Sequence, residues 1–175
     1  MLGLSDQQVF LALFLAVLPV CAWVAWSDLK TMKIPNKAVI ALLAVFFFVG
    51  LLVFPLDVWA IRWLSFAVIL AIGFVLNAIA NVGAGDAKFA AAAAPFFNPH
   101  ALPLILPLFA ACLLGAFAAH RLLRAIPAVR RMTPDWVSWT RKDFPMGLAL
   151  VGTLLGYLAL GAFPALSQGL IALLG

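Results

Sequence analysis

The chain contains no glutamate and six aspartates, at positions 6, 28, 57, 86, 135 and 143, so its acid chemistry is confined to few places. Asp28 and Asp86 stand apart because each directly abuts a long apolar run. Ionisable groups at such a boundary are costly to bury and are functional candidates by default. Two carboxyl groups brought together cannot both ionise cheaply and tend to share one proton. One then serves as a base towards water and the other as an acid towards a carbonyl. That chemistry hydrolyses a peptide bond without a metal, a serine or a thiol. Cys21 and Cys112 sit in separate apolar runs with no CxxC pairing and read as packing residues. His100 and His120 are isolated, so neither a metal site nor a cofactor is expected.

Each aspartate also has a plainer reading. Asp86 can cap the helix that follows it, and Asp28 can pair with Lys30 or Lys33. Asp135 and Asp143 lie among Arg130, Arg131, Arg141 and Lys142, where solvation or ion pairing is expected. Asp6 and Asp57 fall in an N-terminal tail and a tight turn.

The elements that must hold these residues are apolar throughout. Hydrophobic residues make up 67% of the 175 positions and charged residues 10%. A soluble domain carries about 25% charged residues, so the surrounding solvent must be lipid. No Lys or Arg precedes the first apolar run and no cleavage site follows it, so that segment is expected to be a retained helix rather than a signal peptide. The fold expected is an all-α integral membrane protein, a bundle of about six transmembrane helices with a short or broken fourth helix. It forms a single polytopic domain over residues 1–175, with spans near 8–26, 37–54, 58–80, 87–97, 101–120 and 146–165. The fourth reaches only roughly 16 Å at about 1.5 Å per residue, half of a hydrocarbon core. The alanine run at 90–94 suits close helix approach and a central place in the bundle.

Charge chooses between a fourth crossing and one long broken helix, because Lys and Arg accumulate in cytoplasmic loops. With six crossings, ten of the eleven basic residues share one side and Arg62 is alone on the other. If residues 87–120 cross once, the division is seven to four. Six crossings place both termini outside and both membrane-edge aspartates near the cytoplasmic face. The basic loop 121–144 would be cytoplasmic, and Trp136 and Trp139, three residues apart beside cations, suit a helix lying in the headgroup layer.

Three short motifs lie between Trp26 and Gly147. The first is Asp28-Leu29-Lys30-Thr31-Met32-Lys33-Ile34-Pro35-Asn36, the second is Gly83-Ala84-Gly85-Asp86-Ala87-Lys88, and the third is Phe144-Pro145-Met146-Gly147. Glycines before Asp86 free the backbone and let an extended peptide approach closely. Together these residues resemble the signatures of type IV prepilin peptidases, intramembrane aspartyl peptidases with a GxGD motif. The small size and short first loop look like the short members of Flp/Tad-type pilus systems. Met146 departs from the Tyr or Phe often found in the last motif.

The resemblance implies that Asp28 and Asp86 are the catalytic pair. It implies that Gly83, Gly85, Lys88, Pro35, Asn36, Pro145 and Gly147 bind substrate or shape the site, with Pro35 and Asn36 fixing the turn into the second helix. It implies a prepilin or pseudopilin substrate cut after a glycine at the cytoplasmic face of a bacterial inner membrane. Membrane lipid and, on this view, pilus assembly machinery are partners, and no nucleic acid is. The first loop has about ten residues and no Cys, unlike larger enzymes that also methylate the new N-terminus, so cleavage without methyl transfer is expected. The competing readings are a non-catalytic subunit of a pilus or secretion machine and a small ion-coupled transporter. Transport predicts charges near mid-membrane and an inverted repeat, and neither is visible in the sequence.

Overall fold

A computed structural model describes residues 3–174, with side-chain surroundings described through Gly169. The protein is an all-α integral membrane protein, and no strand occurs among the described residues. Helix α1 spans Asp6–Thr31, α2 Asn36–Val53, α3 Leu56–Ala80, and α4 Ala84–Ala93 followed by a 3₁₀ turn at Ala94–Phe96. A 3₁₀ turn at Pro99–Ala101 leads into α5, Leu102–Ala125. A short α6 at Pro127–Met132, α7 at Gly147–Ala162 and α8 at Pro164–Leu174 complete the chain. Four of these stretches, Asp6–Thr31, Asn36–Val53, Leu56–Ala80 and Pro99–Ala125, are long and apolar enough to cross a membrane.

Local sequence sets the boundaries. Ser5 opens α1 with a capping box, its hydroxyl accepting from the Gln8 N–H while the Gln8 side chain accepts from the Ser5 N–H at 2.9 Å. Met32 closes α1 in the left-handed region, φ 55°, and its N–H returns to the Asp28 carbonyl at 2.8 Å. Pro35 starts α2, because the residue before a proline is held out of the helical region. Asn81, φ 52°, ends α3 in the same left-handed way as Met32.

The helices pack in a row, with α5 against α7, α7 along α1, α1 beside α2, and α2 against α4, which also lies on α3. Leu13, Val17, Leu42, Phe46, Phe89 and Leu154 form the middle of the core. Helix α4 is enclosed by α2, α3 and α7, and Ala91 and Ala92 are fully buried. The alanine run is therefore central, as its small side chains suggest. The outer faces of α3 and α5 are apolar, with Phe74 and Ile79 each 75% exposed, as expected where lipid is the solvent.

The basic loop differs from the headgroup helix expected there. Beyond the end of α5, its only α-helix among the described residues is α6, which carries Arg130 and Arg131, while Trp139 ends a 3₁₀ turn at Val137–Trp139. Trp139 is 4% exposed and stacks on His120 at 5.2 Å between ring centroids, and Trp136 stacks on Trp139 and meets the edge of Trp26. The segment folds back onto the bundle through the His120 and Trp26 rings, and the loop itself satisfies the Trp139 indole N–H, which donates to the Thr133 carbonyl and hydroxyl at 3.1 and 3.0 Å.

Candidate active site

Asp28 occupies the last turn of α1 and is 4% exposed. Its Oδ2 accepts the Gly147 N–H, the first residue of α7, at 2.7 Å. It makes no ion pair with Lys30 or Lys33 among the described residues, where the only ion pair joins the exposed Arg141 and Asp143. The α1–α2 turn is fastened instead by Ser27, whose hydroxyl donates to the Lys33 carbonyl at 2.9 Å, and by Thr31, which donates back to the Ser27 carbonyl.

Gly147 has a specific requirement. A Cβ at this position would stand 2.7 Å from Asp28 Oδ2 and 3.1 Å from its Cγ, so only glycine lets the α7 amide reach the carboxylate. Pro145 is fully buried just before it, and its carbonyl accepts the Leu148 N–H at 3.3 Å. Met146 contributes its carbonyl to the first turn of α7 through Ala149 and Leu150. That role asks nothing of the side chain at 146.

Asp86 sits in the first turn of α4, ahead of the apolar part of that helix. Gly83 is the N-cap and no side chain caps α4, so Asp86 does not serve as the cap its position allows. Its carboxyl makes no side-chain hydrogen bond among the described residues. Burial pushes this carboxyl above the ordinary carboxylate range, since an ion loses hydration there.

Gly83 acts by its size, and neither motif glycine takes an unusual backbone angle. Gly83 has φ −55° and Gly85 is helical. A Cβ on Gly83 would collide with the Asp86 carboxylate, whereas one on Gly85 would meet Ile34 at ordinary van der Waals distance, 3.4 Å from its Cβ and 3.6 Å from its backbone nitrogen. This corrects the expectation that they supply backbone freedom.

The start of α4 thus lies directly on the Ile34–Pro35 turn. A second tie joins the same segments, with Lys88 Nζ donating to Asn36 Oδ1 at 3.2 Å. Asn36 therefore does not cap α2. Pro35 holds the N-cap position, and Asn36 is the first helical residue with its side chain turned to Lys88.

The structure brings Asp28, Pro35, Asn36, Gly83, Gly85, Asp86, Lys88, Pro145 and Gly147 to one end of the bundle, with Asp86 near enough to act electrostatically on Asp28. Two carboxyls in such surroundings can share a proton and work on a peptide carbonyl as base and acid. No group of His, Cys and acidic residues suited to a metal ion occurs among the described residues. Sequence reasoning missed Ser27 and Asn77, whose side chains brace the loops carrying the two aspartates. Asn77 Nδ2 donates to the Val82 carbonyl just before Gly83. A lone amide within an otherwise apolar helix was the available signal.

A family model described as the type IV leader peptidase family matches residues 9–120. The match takes in Asp28, the Ile34-Pro35-Asn36 turn and the whole Gly83–Lys88 motif, and ends before Pro145. No curated protein and no solved structure matches the chain. The chain belongs to the type IV leader peptidase family.

Proposed function

We propose that this member of the type IV leader peptidase family is an aspartic-type endopeptidase in which Asp28 and Asp86 are the catalytic pair. Its substrate is the N-terminal leader of a type IV, Flp-type prepilin or pseudopilin, cut at the cytoplasmic face of the inner membrane. The observation that carries this reading is the double tie between the two aspartate-bearing segments, Gly85 on Ile34 and Lys88 on Asn36.

In the reaction, one carboxylate removes a proton from water as the oxygen attacks the scissile carbonyl. The protonated partner donates to the carbonyl oxygen, and the tetrahedral intermediate collapses as the departing amine takes a proton from the pair. The shared proton belongs to the pair as a unit, so the rate is bell-shaped in pH. It falls at low pH, where both carboxyls are protonated, and at high pH, where both are ionised.

The cytoplasmic location is supported by charge, since ten of eleven basic residues share the aspartates' side in a six-span topology with both termini outside. Cleavage without methyl transfer is supported by the connection between α1 and α2, residues 32–35, which leaves no space for an inserted domain. The same short connection supports assignment to the Flp/Tad type.

Incubating the purified protein in detergent with a Flp-type prepilin and S-adenosylmethionine tests the reading by mass spectrometry. The expected product is cut after a glycine, carries an unmethylated amine, and is absent with Asp28→Asn or Asp86→Asn. Leader removal that survives either substitution overturns the pair, and no cleavage by the unaltered chain overturns the peptidase assignment.

A further inference from the structure

Arg62 is the one basic residue apart from the aspartates' side, and it projects from α3 among apolar neighbours. Its Nη1 donates to the carbonyls of Pro95 and Phe97 at 3.0 and 3.1 Å, and the guanidinium lies over the Phe54 ring, 4.2 Å from its centroid. Both carbonyls belong to the end of α4, which with its 3₁₀ turn runs only from Ala84 to Phe96. That length is about 20 Å, against a hydrocarbon core of about 30 Å. The helix ends inside the membrane, where unpaired carbonyls are costly. Arg62 supplies what the missing turns would have supplied.

Helix α3 also holds the other end of α4. A Cβ on Gly73 would stand 2.9 Å from that of Ala87, so the helices touch there at backbone distance. Ala87 adjoins Asp86. Arg62 and Gly73 are eleven residues apart, about 16 Å along a helix, which matches the stretch of α4 between Ala87 and its C-terminal carbonyls. Gly73 limits how closely α4 approaches but lets it slide. The two directed hydrogen bonds from Arg62 fix its position along its axis.

We propose that Arg62 is a positioning residue for the hydrolysis reaction, setting the depth of Asp86 relative to Asp28 from the opposite end of α4. This inference rests on the peptidase reading above. It assigns a role to a residue outside all three motifs, one that donates to α4 and lies an entire helix length from the reacting atoms.

The test uses the full chain in detergent with Arg62→Lys and Arg62→Met, with prepilin kinetics expressed per folded protein and hydrogen exchange across residues 84–98. In Arg62→Met, kcat falls by about two orders of magnitude, the scale of an ångström-size misplacement. KM changes little, and exchange quickens at residues 94–98. Arg62→Lys, which keeps a donor, restores most of kcat, and the pH optimum of the weakened enzyme moves as the coupling between the carboxyls changes. A purely structural role would lower the folded yield while leaving kcat and the pH profile of the folded fraction unchanged, and that result overturns the proposal. Should Arg62→Met not fold, Arg62→Gln, too short to reach both the Pro95 and Phe97 carbonyls, decides, and parental exchange together with parental kcat in that variant overturns it. Should the unaltered chain cleave nothing, the peptidase reading fails by itself. Hydrogen exchange still judges the clamp, and unchanged exchange at 94–98 in Arg62→Met or Arg62→Gln refutes it.

Discussion

At the C-terminal end of α4, the polar groups are paired. Arg62 takes the Pro95 and Phe97 carbonyls, the Tyr157 hydroxyl accepts the Asn98 N–H at 3.0 Å, and the Asn98 side chain accepts the His100 N–H. At the N-terminal end of the same helix, Asp86 has no side-chain partner among the described residues, and Asp28 has one, the Gly147 amide. Buried polar groups in folded proteins are nearly always satisfied. An end whose exposed main-chain groups are tied by Arg62, Tyr157 and Asn98 is a fastening, whereas an end where two carboxyls retain spare acceptor capacity is poised to bind something else. The contrast separates anchoring from chemistry within one short helix, and substitutions at the two ends should therefore fail in different ways.

The largest effect expected from a residue other than the aspartates is at Gly147. Gly147→Ala places a methyl group against Asp28 Oδ2 and displaces the α7 amide. Prepilin cleavage should drop by about two orders of magnitude, with the protein still folded by circular dichroism. Activity within a few-fold of the unaltered chain would break the link between α7 and Asp28. A smaller loss is expected at the tie between the two motif segments. Lys88→Met removes one exposed hydrogen bond, worth about 1 kcal/mol or less, so kcat/KM should fall by about fivefold or less. A complete loss would instead place Lys88 on the substrate.

The smallest effect is on stability, and it runs opposite to that on activity. Because burial raises the Asp86 carboxyl, the folded state holds this proton more tightly than the unfolded state does. Its favourable contribution is present at low pH and is lost as pH rises from the unfolded value through the folded one. Asp86→Asn removes an ion that is unfavourable at neutral pH, so its thermal midpoint in detergent should exceed that of the unaltered chain at neutral pH and match it in acid. A lower midpoint at neutral pH would mean that Asp86 serves as a structural anchor like Arg62.

Much of this arrangement was legible in the sequence because membrane burial makes each charged residue conspicuous. The shortness of the fourth helix followed from the distance between Asp86 and Asn98, and its central place from the alanine run. That Asp28 and Asp86 lie at the same end of the bundle was expected from the six crossings counted in the sequence. What could not be read depended on contacts between distant segments. Gly147 is a common residue at a helix start until Asp28, 119 positions earlier, is seen to occupy the space its side chain would take. Arg62 was visible only as the exception to the charge asymmetry, because its partners are main-chain carbonyls, which carry no sequence signal. Trp136 and Trp139 read as interfacial by type and spacing, but ring contacts with His120 and Trp26 draw that segment inward.

With six aspartates and no glutamate, labelling aspartate with ¹³C isolates every acidic side chain in the protein. Following the labelled carboxyl resonances against pH in detergent tests directly whether Asp28 and Asp86 act as a pair. The account predicts that Asp28 and Asp86 release their protons as a coupled pair in two steps, that replacing either by asparagine leaves the other titrating in a single step, and that Asp143→Asn leaves both curves in place. Curves at Asp28 and Asp86 that each stay the same when the other is replaced would contradict the shared proton.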